Sequence, residues 1–116
     1  MKVYGIPNCS TVKKARTWLE GHGLAYEFHD YKKQGVPAAM MHKLLKAHGW
    51  EALVNRKGPT WRKLEDEVKA SVKDADSALA VMQANSSVIR RPIVERDGRY
   101  LFGFDEAAYR DFFALS

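Results

Sequence analysis

A single cysteine, Cys9, stands among the 116 residues of the chain. No intramolecular disulfide can form, so stability must come from a hydrophobic core, and an oxidising compartment is not implied. The expected address is the cytoplasm. No apolar run approaches the roughly 18 residues that a membrane helix requires. The opening MKVYGIPNCS has neither an apolar h-region nor a small-residue cleavage pattern, and so predicts no secretory leader. Internal repeats, low-complexity tracts and linkers are lacking too. No Walker-type or dinucleotide-binding glycine pattern occurs. His22, His29, His42 and His48 have no metal-ligand spacing with one another or with Cys9, so no metal site is expected and they read as surface or packing residues.

What is present is ordinary for a globular protein. Hydrophobic residues make up 46% and charged residues 28%, which suits one domain spanning residues 1–116. The net charge is +5. That excess favours small anions, an acidic partner or nucleic acid, or is simply a solvated basic surface. No nucleic-acid-binding motif accompanies it, which argues against nucleic acid.

Residues 2–6 read as a strand, broken by Pro7-Asn8. Val12, Ala15 and Leu19 recur at helical spacing, with Gly21 and Gly23 as stop signals. Leu24, Tyr26 and Phe28 alternate, predicting a second strand over 24–29. Residues 30–35 read as a polar connection. Pro37 suits the first turn of a helix carrying Met41, Leu44, Leu45 and His48 and ended by Gly49. Residues 50–64 mix short helical pieces with a break at Gly58-Pro59, and Trp61, Leu64 and Val68 resume helical spacing. Trp18, Trp50 and Trp61 suit core or boundary packing. Asp74 or Asp76 is placed to cap a helix with Ala75, Leu79 and Met82. This central region of about four short helices shows no strand.

Residues 92–96 and 99–103 then flank Asp97-Gly98, a strong hairpin signal. Asp105 reads as an N-cap. Phe104 and Tyr109 are spaced as a hydrophobic staple for a last helix that buries Tyr109, Phe112 and Phe113. The order β-α-β, helices, β-β-α predicts an α/β protein: a thioredoxin-like fold with a helical insertion.

Cys9 sits where the first strand gives way to the first helix. Unpaired N–H groups at a helix start favour an anion, and a thiolate there has a lowered pKa. Lys13, Lys14 and Arg16 follow, where cations oppose the helix dipole. An anion nearby would offset that cost: the thiolate itself, or a substrate. The alternatives are a buried, inert cysteine and plain surface lysines. The sequence Cys9-Ser10-Thr11-Val12 has no second cysteine, so an outside thiol must resolve any disulfide formed on Cys9. Glutathione is the abundant cytosolic candidate. Arg91, before the strand-opening Pro92, is positioned to offer a bidentate fork to a carboxylate or oxyanion beside the first helix, or is a surface arginine.

The segments YGIPNCSTVKKA, WEALVNRKGPTWRKL and RRPIVERDGRYLFGF, in that order, resemble the arsenate reductase (ArsC) family, on its Spx/YffB-like branch. The resemblance spans essentially the whole chain. It implies a thioredoxin-like fold with Cys9 as nucleophile. It implies that Arg91 binds an oxyanion before a cis Pro92. It also implies a middle arginine, with Arg56 at that site or one residue beyond and Asn55 the other match. A third arginine of the arsenate reductases falls in Leu101-Phe102-Gly103-Phe104, where this chain has none.

The expected activity is that of a glutathione-dependent thiol reductase-like enzyme. Cys9 is its nucleophile, and Asn8, Ser10, Thr11, Lys13, Arg56, Arg91 and Pro92 form its anion-binding surroundings. Glutathione is a co-substrate and no cofactor is bound. The alternatives are arsenate reduction coupled to glutathione and glutaredoxin, or a non-catalytic Spx-like regulator that binds RNA polymerase.

Overall fold

The computed structural model describes residues 1–115. In chain order the elements are β1 (Lys2–Gly5), α1 (Ser10–Gly21), β2 (Glu27–Asp30), α2 (Tyr31–Gln34), α3 (Ala38–His48), α4 (Trp50–Leu53) and α5 (Pro59–Arg62). They continue with α6 (Asp66–Ser71), α7 (Ala75–Ala84), β3 (Ile93–Arg96), β4 (Arg99–Phe102) and α8 (Glu106–Phe112). The chain falls into two compact units. One joins Met1–Tyr31 to the residues from Arg91 onward, and the other is Lys32–Arg90.

The first unit is a four-stranded mixed sheet in the order β2-β1-β3-β4. β1 and β2 are parallel, paired from Lys2 with Glu27 to Gly5 with Asp30. β3 runs antiparallel to β1, and β4 to β3. Val12, Ala15, Trp18 and Leu19 form the buried stripe of α1. Ala15, Trp18 and Leu19 pack with Val3, Val94, Tyr109 and Phe113 into one core cluster. Each fully buried aliphatic side chain in such a cluster contributes roughly 1.5–3 kcal/mol.

Local signals in this unit did as expected. Asp97 (φ 52°) and Gly98 (φ 76°) both take the left-handed conformation that a two-residue hairpin loop requires. Asp105 accepts a hydrogen bond from the Ala108 N–H at 2.9 Å, and the Phe104 ring meets Tyr109 edge-on at 4.9 Å, completing cap and staple. The Tyr109 hydroxyl donates to the Gly103 carbonyl at 2.6 Å.

Two expectations need correction. The second strand begins at Glu27, not Leu24. The end of α1 claims Leu24 first: the Gly23 N–H bonds to the Glu20 carbonyl and the Leu24 N–H to the Leu19 carbonyl, with Gly23 at φ 68°. That pairing is a Schellman closure, and it uses the N–H a ladder would need. Leu24, Tyr26 and Phe28 still pack against the core cluster. The connection expected over 30–35 is not all polar surface. Asp30 closes β2 and is 7% exposed, and Tyr31 is 3% exposed.

In the second unit α3 and α7 pack together, burying Met41, Leu44 and Leu45 with Ala78, Val81 and Met82. His48 is exposed rather than on the buried face. Asp74, not Asp76, caps α7: it accepts from the Ser77 N–H at 2.9 Å, and Ser77 Oγ accepts from the Asp74 N–H at 3.1 Å. Asp76 instead pairs with His42 at 2.8 Å. The helical run expected through Trp61, Leu64 and Val68 is broken, because α5 ends at Arg62 and Lys69 Nζ bonds that exposed carbonyl at 3.0 Å. An isolated antiparallel bridge, Val54 with Ile89, joins the residue after α4 to the end of this unit. Among the described residues, no helix is long and apolar enough to cross a membrane.

Candidate active site

The turn after β1 sets the position of the sulfur. The Cys9 N–H bonds back to the Ile6 carbonyl at 3.3 Å, and the Cys9 carbonyl accepts from Lys13 at 3.0 Å as α1 begins. Cys9 is therefore the N-cap residue, with extended backbone at φ −90° and ψ 130°. Its side chain makes no short capping hydrogen bond of the kind Ser or Asp makes. The Val12 and Thr11 N–H groups, at the third and second helical positions, nevertheless bear on the sulfur and favour its ionised form.

Arg91 supplies the side-chain part. Partial burial pushes the Cys9 thiol up, but the Val12 N–H, the Arg91 hydrogen bond and positive charge, and the Thr11 N–H outweigh it. The net effect holds Cys9 below the ordinary thiol range. The sulfur is only half-buried, so it is neither the inert core cysteine nor a fully desolvated one. The Arg91–Pro92 peptide bond is cis, as the family resemblance implied.

Gly5 was read only as part of a strand, yet it lets α1 pack closely on the end of β1. A Cβ there would lie 3.0 Å from Val12 Cγ2 and 3.8 Å from Arg91 Cβ. A bare last residue of β1 gives Val12 of α1 room to come in beside it, while Arg91 would meet a Cβ there only at ordinary contact distance. Glycine within a strand pattern was the available signal.

The remaining predicted residues divide. Thr11 acts through its backbone, and Asn8 and Ser10 are exposed on either side of Cys9. Pro92 is buried, immediately before β3. Lys13 is exposed and is not among the groups that lower the Cys9 pKa. Arg16 is turned elsewhere: its Nε donates to Tyr26 Oη at 2.8 Å and its guanidinium lies 4.1 Å from the Phe28 ring centroid. Arg56 and Asn55 lie in the second unit. There Arg56 sits over the Trp50 ring at 5.2 Å, and Asn55 Oδ1 accepts from the Lys57 N–H at 3.2 Å. Both line a recess of about 300 Å³ with Glu51, Val54, Lys57 and Arg90.

A family model described as the ArsC family matches residues 4–112. The chain belongs to the ArsC family. A solved protein named YffB superposes on it with a TM-score of 0.90 at 44% identity, covering 99% of this chain and 98% of that one. An arsenate reductase (ArsC) related protein from Brucella melitensis is 50% identical, with a TM-score of 0.74 over 98% of this chain and 94% of that one. The global transcriptional regulator Spx of Streptococcus mutans is more distant, 28% identical over 91% of this chain and 77% of that protein. The four-stranded mixed sheet with its helices is thus the thioredoxin-like architecture of the ArsC and YffB proteins.

Proposed function

We propose that this ArsC-family protein is a glutathione-dependent thiol reductase whose nucleophile is the Cys9 thiolate. One observation carries the reading: the Cys9 sulfur lies at the start of α1 under the joint influence of two backbone N–H groups and Arg91, which favour its ionised form. A thiolate, not a thiol, attacks disulfides.

In the first step Cys9 attacks the glutathionyl sulfur of a mixed disulfide. The S–S bond breaks and the substrate sulfur leaves as a thiolate with the bonding pair. The chain has no second cysteine to resolve the adduct. A second glutathione thiolate therefore attacks it, releasing oxidised glutathione and regenerating Cys9. The net exchange is one mixed disulfide and one glutathione for one free thiol and one glutathione disulfide. Arg91 holds a glutathione carboxylate, with Asn8, Ser10 and Thr11 next to the reacting sulfur in the first unit. A cytoplasmic setting, where thiols are kept reduced, suits this cycle.

The test is turnover of a glutathione mixed disulfide of a small thiol, followed as oxidised glutathione formed, for the wild-type protein and Cys9→Ser. Turnover that vanishes in Cys9→Ser supports the reading, and equal rates from both proteins overturn it. The printed name of the Brucella melitensis relative makes arsenate the second substrate to assay. Arsenate turnover without disulfide exchange would favour that chemistry instead.

A further inference from the structure

The cations that open α1 divide into groups with and without a task. Arg16 is engaged by Tyr26 and Phe28. Lys13 and Lys14 are exposed, and neither has a side-chain ion pair or hydrogen bond among the described residues. Neither is among the groups that lower the Cys9 pKa. Two ammonium groups this close to a helix start oppose the positive end of its dipole. At this end of α1 they do not serve the helix.

They do flank a groove. A depression of about 410 Å³ is lined by Lys13, Lys14, Thr17, Trp18 and Phe104, all in the first unit. Its lining is almost entirely apolar, with the Trp18 and Phe104 rings beside the aliphatic stems of the two lysines. Of the α1 residues that line it, Lys13 comes one turn after Cys9, while Lys14 and Trp18 lie further round the helix. At about 1.5 Å per residue, the lysines lie ~6–8 Å and Trp18 ~13 Å along the axis from Cys9.

We propose that this groove binds an extended acidic segment of a protein substrate and delivers that segment's oxidised cysteine to Cys9. The proposal rests on the thiolate reading above and names the substrate class. An extended chain advances about 3.3 Å per residue. Carboxylates about two residues from the substrate cysteine then meet Lys13 and Lys14, and an apolar side chain about four residues away meets Trp18 and Phe104. A second copy of this chain carries the same charge of +5 and is repelled. With a glutathione mixed disulfide Cys9 attacks the glutathionyl sulfur, the S–S bond breaks and the substrate cysteine leaves as a thiolate with the bonding pair. Where the partner is the better leaving group, as in the peptides below, Cys9 attacks the substrate cysteine's sulfur and that partner leaves instead. The exchange needs no further oxidant or reductant.

Two synthetic peptides test this, Cys-Ala-Glu-Glu-Leu and Cys-Ala-Lys-Lys-Leu, each carried as a disulfide with 5-thio-2-nitrobenzoate. The released coloured thiolate reports the rate, with an uncharged small disulfide as reference. The wild-type protein should react roughly tenfold faster with the Glu peptide than with the Lys peptide, and the preference should fade with salt. Lys14→Glu places an acid early in α1, where the dipole favours it, so the variant folds. It should lose or reverse the preference while matching wild type on the uncharged disulfide. Equal rates for the two peptides, or a preference that Lys14→Glu leaves intact, would overturn the docking proposal alone. Failure of Cys9 to react with the uncharged disulfide would remove the thiolate reading beneath it.

Discussion

Arg91 hydrogen-bonds the Cys9 sulfur from the far end of the sequence, and its Cβ lies beside Gly5 at the end of β1. The two residues are 82 positions apart, yet both belong to the same compact unit. One begins a helix and the other precedes a strand that pairs with β1. The sheet therefore brings a guanidinium to a sulfur that the helix start already favours as an anion. Neither influence depends on a bound ligand.

The first prediction follows from that pair. Arg91→Ala removes the hydrogen bond and the positive charge, so the Cys9 thiol should titrate at higher pH and alkylate several-fold more slowly near neutrality. The fold should lose little, under about 1 kcal/mol, since contacts of partly exposed charges are weak. Chemical denaturation and iodoacetamide kinetics on the same variant separate the two effects. An unchanged alkylation profile would remove Arg91 from the site.

Gly5 gives a steric test. Gly5→Ala sets a methyl group 3.0 Å from Val12 Cγ2, closer than side chains pack without a shift. The expected loss is about 1–3 kcal/mol. Because Val12 also supplies an N–H to the Cys9 environment, the thiol should titrate higher as well. Adding Val12→Ala removes the methyl group in the way, so the double variant should lose less than the two single losses combined. Additive losses would show that the two residues do not meet.

Part of this site was open to sequence reasoning and part was not, and the division follows the range of the forces involved. The Asp97-Gly98 hairpin, the Asp105 cap and the Phe104–Tyr109 staple each depend on residues within five positions, and each formed as expected. Cys9 at a helix start is equally local. The start of β2 was misread because alternation at Leu24 and Tyr26 looks the same whether a strand or a helix closure uses the Leu24 N–H. The bareness of Gly5 and the burial of Asp30 depend on residues far along the chain, which no local window contains. Lys13 and Lys14 are exposed, and the groups that lower the Cys9 pKa are Val12, Arg91 and Thr11.

The lowered Cys9 pKa also makes stability depend on pH. The unfolded chain holds the thiol proton to higher pH than the folded one, so stability rises with pH between the lowered value and the ordinary thiol value. The contribution is complete above the ordinary value and is lost as pH falls through the lowered one. The difference in unfolding free energy between wild type and Cys9→Ala should therefore grow in favour of wild type across that window. Parallel stability profiles for the two proteins would mean that folding leaves the Cys9 proton affinity unaltered.

The central claim is that the fold itself keeps the Cys9 sulfur ionised. Its most direct measurement is the rate of Cys9 alkylation by iodoacetamide as a function of pH in the unliganded protein. The account predicts a midpoint below the ~8.5 of a free cysteine, moving up toward it in Arg91→Ala. A wild-type midpoint at or above the free-thiol value would contradict it.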